Sequence, residues 1–238
     1  MPHRKLVKHG PSTFIVSLPR PWVDKHGLKK GDDIQYQELG NSIIFHADSA
    51  GIGRASFDVQ DLDRPSIMFH IRGMYRSGCQ EIEVTSTNTT VLDHRSGQTA
   101  PAAAVIDDEV RRLVGIEVSE HARDRILLKQ LAEPSADELE PSIERVHMLL
   151  DGMYESLIGA ISQQSLDELQ LAEQRHDAIT KLISYCLRGL SNNPKPYRMH
   201  ALMQLDVVAD LLKYFAHTVR EEPYEPTPEG LRVLKDMR

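Results

Sequence analysis

The stretch KLVKHGPSTFIVSLPRPWVDKHGLKKGDDI, residues 5–34, places two short apolar runs, a short helical signal and three glycine corners side by side. Leu6 and Val7 begin a strand, and Gly10-Pro11 turns the chain. TFIVSL, residues 13–18, is a second strand, rich in β-branched and aromatic residues. Proline is tolerated in a first helical turn, so Pro19 to Lys25 reads as a short helix. Gly27 ends it, and Gly31-Asp32 makes the next corner. DIQYQE then alternates apolar and polar residues, and Gly40-Asn41 turns the chain back into SIIFH as a hairpin. A β-β-α-β-β head of this size buries too little apolar surface to stand alone, which predicts a partner chain.

The head is also basic. Residues 1–46 hold seven Lys and Arg against four Asp and Glu, a net +3, within a chain of net −7, so the other 192 residues carry −10. A basic head on an acidic body is the distribution of a chain whose head alone meets a polyanion. Arg4, Lys5, Lys8 and Arg20 supply cations for phosphate neutralisation, and Ser12 and Thr13 supply small hydroxyls that fix register on double-stranded DNA. The other reading of the same residues is a solvated basic sheet face that only dimerises.

At 238 residues the chain has room for two or three small domains. Its apolar and charged fractions, 40% and 26%, are those of globular protein and exclude a fibrous or low-complexity chain. No apolar run approaches the roughly 20 residues of a membrane span. No leading charged-then-apolar segment is present, so the expectation is a cytoplasmic chain without membrane insertion. Cys79 and Cys186 stand far apart in unlike contexts and read as free thiols in a reducing compartment. A nucleophile elbow, a reactive-cysteine context and zinc-type Cys/His spacing are all missing, and Gly51 and Gly53 lack the flanking strand and helix of a phosphate loop. The expectation is therefore not an enzyme.

The organisation predicted is α+β and multidomain. Residues 1–48 form the head, 49–133 a small α/β middle domain, and 134–238 an antiparallel helical bundle. In the middle, RASFDV reads as a strand, and Ile67, Met68, Ile71, Met74 and Tyr75 have helical spacing. QEIEVTS is a strand, TAPAAAVIDDEVRRLVG a helix ended by Gly115, and IEVSEH and RDRILLKQL two further strands. Such alternation implies a small mixed sheet with helices on one face. After Glu133-Pro134-Ser135 the stripes are helical. They run through Ile143, Val146, Leu150, Met153, Leu157 and Ile161, then Leu169 to Leu190, then Leu205 to Val219. Breaks between them are short, so neighbours pack antiparallel. Asp137 and Ser165 are expected N-caps, the latter with Glu168 in a capping box, and Thr227-Pro228-Glu229 opens a short last helix.

Two acid pairs in the helical half, Glu173 with Asp177 and Asp206 with Asp210, are each spaced i, i+4 on one side of a helix. Four carboxylates brought together by antiparallel helices suit a hard or borderline cation. Both pairs fall at the edge of the apolar stripes, so they also read as solvated helix-face ions, Asp177 with Lys181 and Asp210 with Lys213. His176 falls within its stripe and reads as a partly buried histidine rather than a ligand, and His217 lies on the side of Asp206 and Asp210.

Taken as a set, Lys8-His9-Gly10, Ser12, Leu18-Pro19, Trp22 to His26 and Leu28 to Asp32 resemble the AbrB/MazE/SpoVT swapped-hairpin family. The likeness covers residues 3–46. It implies that two chains interleave hairpins into one closed, DNA-binding β-barrel. The helical half resembles the PhoU family, whose helices carry repeated Glu/Asp-x-x-x-Asp signatures like Glu173 to Asp177 and Asp206 to Asp210. Together the parts look like archaeal PhoU-like regulators. That resemblance implies a homodimeric transcriptional regulator linked to phosphate uptake, with iron or zinc held by those four carboxylates. The rival is an adaptor that dimerises through the head and contacts a phosphate transporter or signalling protein. A metal-dependent phosphohydrolase is a third class, disfavoured because no pocket-forming Gly or His set accompanies the acids. PhoU proteins hold two three-helix repeats, whereas this chain has room for one and a short terminal helix.

Overall fold

The computed structural model describes residues 3–39, 42–46, 53–94, 96–163, 165–191, 194–221 and 227–236. The fold is mixed α+β, and the chain divides into two compact units, residues 1–52 and 53–238.

In the first unit β1 (Leu6–His9) pairs antiparallel with β2 (Thr13–Val16), from Leu6↔Val16 to His9↔Thr13. Gly10, at φ +73°, takes the left-handed conformation that this connection needs. α1 (Arg20–Lys25) follows from Pro19, and β3 (Gln35–Leu39) pairs with β4 (Ser42–His46). The expected Gly40-Asn41 turn lies outside the described residues. These are two separate two-stranded sheets, and the described residues of one chain form no closed barrel. Among residues 3–46 whose side chains are described, none is buried. Leu6, Val7, Phe14, Ile15, Val16, Tyr36 and Ile43 are all exposed.

The second unit begins with β5 (Arg54–Asp58), α2 (Arg64–Arg76) and β6 (Glu81–Thr85), a βαβ unit in which β5 runs parallel to β6. Asp63 caps α2 by accepting the Ser66 N–H at 2.9 Å. β7 (Thr90–Leu92) and β8 (Thr99–Pro101) form a small hairpin that the sequence pattern did not reveal. Its strands have three residues each, too few for alternation to register. The Thr-Ala-Pro that opened the expected helix is β8, and α3 spans Ala102–Arg111. β9 (Ile116–Ala122) and β10 (Arg125–Gln130) complete a sheet of order β5-β6-β10-β9.

Period-two alternation sends Ile82, Val84, Ile126 and Leu128 into one core with Ile67, Ile71 and Tyr75 of α2 and Val105, Ile106 and Val110 of α3. The other sheet face is an ionic lattice in which Glu81 pairs with Arg54 and Lys129, and Arg125 with Glu83 and Glu120. Gly115, at φ +71°, leaves α3, and a Cβ there would sit 2.6 Å from the Ala132 carbonyl oxygen.

The bundle holds α4 (Ala136–Gln163), α5 (Leu166–Ser191), α6 (Pro196–Glu221) and α7 (Pro228–Asp236). Tyr185 meets Glu138 near one end of the α4–α5 pair, and Arg175 meets Gly152 and Ser156 towards the other, so the two run antiparallel. Val146, Met153, Leu157, Ala172, Ile179, Ile183, Leu187, Leu202 and Ala209 fill the core. Each fully buried Leu, Ile, Val or Met contributes about 1.5–3 kcal/mol. Asp137 lies in the first turn of α4 instead of capping it; the Glu138 N–H reaches the Ser135 carbonyl. The Glu168 side chain of the expected capping box lies outside the described set. Thr227 caps α7 through the Gly230 N–H at 3.1 Å. Cys79 and Cys186 are free, and burial pushes the Cys186 thiol up to about 11.

Candidate functional site

In the head, the cross-strand pairs fix which residues share a face. Leu6, Lys8, Phe14 and Val16 lie on one, and Val7, His9, Thr13 and Ile15 on the other. Both faces are therefore apolar at the open end of the hairpin; towards the Gly10 end Lys8, His9, Ser12 and Thr13 gather beside one exposed apolar residue, Phe14, which stands opposite Lys8. Arg4 and Lys5 precede β1, exposed. Arg20, on α1, is 89% exposed in its side chain and pairs with Asp24 at 3.3 Å. The surface cations thus divide between a hairpin tip, a leading segment and a helix already carrying one internal ion pair.

Two of the four acids, Asp206 and Asp177, meet arginines of the α/β layer. Arg76, on α2, donates to Asp206 Oδ2 at 2.7 Å and to Ser184 Oγ at 3.0 Å, and both charged side chains are less than one-fifth exposed. Arg112, after α3, reaches Asp177 at 3.8 Å. His176, 5% exposed, bonds Asp210 Oδ1 through Nε2 at 2.8 Å and Asp177 Oδ1 through Nδ1 at 3.3 Å. In place of the expected pairings with Lys181 and Lys213, Asp177 and Asp210 both meet His176, which reaches Asp177 within α5 and Asp210 across to α6. The Glu173 side chain lies outside the described set. Among the described residues no group of three or more His, Cys, Asp or Glu side chains is placed to hold a metal ion.

The electrostatics of this seam follow from its partners. Burial opposes charging of His176, but the bonds to Asp177 and Asp210 outweigh burial and the nearby Lys213, so its pKa is raised. The His176 hydrogen bond lowers the pKa of Asp177 and of Asp210 against the opposing effect of burial. Stability from a raised histidine is complete below its ordinary value of 6.5 and fades as pH rises through the raised one. Stability from the lowered carboxylates is complete above 3.8 and fades as pH falls through their lowered values. The urea stability lost in His176→Asn should therefore be largest between these limits and shrink towards pH 9. A pH-independent difference would contradict the charged contact.

Sequence reading found these carboxylates but missed their arginines. Arg72 and Arg76 are spaced i, i+4 on α2, matching Asp206 and Asp210 on α6; that complementary spacing was the available signal. Arg72 itself is held by Glu109 in a two-pronged contact, at 2.8 and 3.1 Å. No family model matches the chain, and neither a curated protein nor a solved structure matches it.

Proposed function

We propose that the protein is a homodimeric, cytoplasmic, DNA-binding transcriptional regulator linked to phosphate uptake, PhoU-like in its helical half. The observation that carries this reading is the head. Among head residues whose side chains are described none is buried, both faces of the first hairpin are apolar at its open end, and cations and hydroxyls gather with Phe14 at the other. A second copy covering the apolar ends, as in a swapped-hairpin barrel, leaves the polar tips free for a duplex. No helix among the described residues is long and apolar enough to cross a membrane, in keeping with a protein that acts on DNA. Iron or zinc has no step in this reading, because Arg76 and His176 already hold the Asp206 and Asp210 carboxylates.

The test is a salt titration of duplex binding by fluorescence anisotropy. A dimer presents roughly eight cations from Arg4, Lys5, Lys8 and Arg20; if about half meet phosphates, log K falls with log salt at a slope of about −3 to −4. Lys5→Ala with Lys8→Ala should weaken binding to every sequence and flatten the slope, while Ser12→Ala should leave the slope unchanged. An exposed stripe on α6, Met203, Val207, Leu211 and Tyr214, favours a second reading in which the bundle docks on a transporter or signalling protein. No duplex binding at low salt by the wild type would leave that adaptor reading in place.

A further inference from the structure

Eight arginines are described between residues 54 and 125, and seven of them face a carboxylate within 4 Å. The eighth, Arg123, faces none among the described residues. It occupies the turn between β9 and β10 and lines, with His121, a cleft of about 580 Å³. The opposite wall is the segment Thr87 to Thr90, which leaves the carboxyl end of β6, and the floor is the start of α3 at Pro101 and Ala103. No described carboxylate lines the cleft. Asp124, next in sequence to Arg123, accepts the Asn88 N–H at 3.3 Å.

Three independent groups in this cleft lack partners of their own. The first is the Arg123 guanidinium. The second is the opening of α3. Pro101 stands at the N-cap with no capping side chain, and only the Ala102 N–H is taken, by the Thr89 carbonyl at 2.9 Å. Among the described residues no acceptor takes the N–H of Ala103, which lines the cleft, or of Ala104 beside it, and the helix dipole favours negative charge at this end. The third is Thr87. It is 4% exposed, its backbone N–H is used by the Asp124 carbonyl, and its hydroxyl bonds no described residue. Ser86, just before it, holds φ +58°, a left-handed conformation costly for a residue with a Cβ and common beside binding sites. The cleft lies beyond the carboxyl end of β6, a strand parallel to its neighbour β5, and open α/β sheets take their ligands at such strand ends.

The geometry points to an anion site for a small molecule carrying a phosphate group. A guanidinium fork, two helix amides and a hydroxyl match the several acceptors of a tetrahedral oxyanion. The cleft exceeds a bare anion, and Asn88, Thr89 and Thr90 offer bonds to the hydroxyls of an attached organic part. Inorganic phosphate and a phosphate monoester share this chemistry.

Isothermal titration of the full chain in phosphate-free buffer tests the site, with inorganic phosphate, glycerol 3-phosphate and glycerol as titrants. The phosphate-bearing titrants should bind and glycerol should not. Tighter binding of glycerol 3-phosphate identifies a monoester as the ligand, and tighter binding of inorganic phosphate identifies the free ion. Arg123→Ala, an exposed turn substitution that leaves the core untouched, should weaken binding on the order of tenfold or more. Thr87→Val, which keeps the shape, should weaken it severalfold, and Arg111→Ala on the exposed side of α3 should change nothing. Silence with both phosphate-bearing titrants, or wild-type affinity in Arg123→Ala, overturns the site. The assay contains no DNA, so its outcome is independent of duplex binding by the head.

Discussion

Arg188→Ala should destabilise the protein by about 3–5 kcal/mol, because it removes a fully buried side chain and the donors of two carbonyls, while the Glu133 carboxylate it also pairs with is 41% exposed and can return to water. The Arg188 side chain has no exposed surface. Its Nε and Nη2 both donate to the Glu133 carboxylate, and its Nη1 donates to the carbonyls of Tyr75 at 3.0 Å and Cys79 at 2.8 Å. The guanidinium carbon also sits 5.0 Å from the centre of the Tyr75 ring. One α5 side chain therefore ties the end of α2, the segment leading into β6 and the link between the last strand and α4. Truncation leaves two carbonyls without donors as well as a void. Lysine keeps the charge but not the planar fork, so Arg188→Lys should recover only part of the loss. In a unit of this size the alanine variant should melt on the order of 10 °C lower. The control is Arg198→Ala, which removes an exposed contact to Glu140 and should cost within about 1 kcal/mol. Equal losses in the two variants would remove Arg188 from its place as the joint between sheet layer and bundle.

The same residue shows where the sequence stops being legible. Stripes such as Ile67, Ile71 and Tyr75, or Ile179, Ile183 and Leu187, are visible because burial repeats with the helix period, and each is buried as its spacing requires. Arg188 interrupts such a stripe, and its burial depends on Glu133 and on two carbonyls more than a hundred positions away in the chain. Nothing local announces such partners. Asp206 and Asp210 were legible as a pair but not as a contact, since Arg76 approaches from another element. His176 was rightly read as a buried histidine, yet the two carboxylates it joins come from different helices. Arg123 is the opposite case. An arginine in a hairpin turn is unremarkable in the sequence, and it becomes distinctive only once the other described arginines of the layer are seen to have acids. The β7–β8 hairpin stayed hidden for a plainer reason: strands of three residues have no period to detect.

On the proposed reading of the head, Ile15→Asp should convert a dimer to a monomer at micromolar concentration and abolish duplex binding, with helix content retained. Ile15 is 46% exposed in a single chain, and Phe14, on the opposite face of the same strand, is 59% exposed. A hairpin with bare apolar residues on both faces gains stability only when something covers both, and an interleaved second copy does so symmetrically. Burying an isoleucine side chain is worth about 1.5–3 kcal/mol, and a two-fold dimer loses it twice. A loss of roughly 3–6 kcal/mol raises the dissociation constant by about two to four orders of magnitude, and the aspartate adds the cost of desolvating a carboxylate. The bundle and the α/β layer have cores of their own, so they should remain folded. Lys8→Glu separates the two roles of the hairpin. Lys8 is itself an exposed cation and not one of the apolar residues to be covered, so this variant should leave the dimer intact in sedimentation while eliminating DNA binding. Chemical denaturation of wild-type residues 1–50 should show a midpoint that rises with protein concentration, because folding and association of the head are one event. A head that folds as a monomer with a concentration-independent midpoint, or an Ile15→Asp chain that still sediments as a dimer, would overturn the proposed second copy and, with it, the duplex-binding surface proposed for the head.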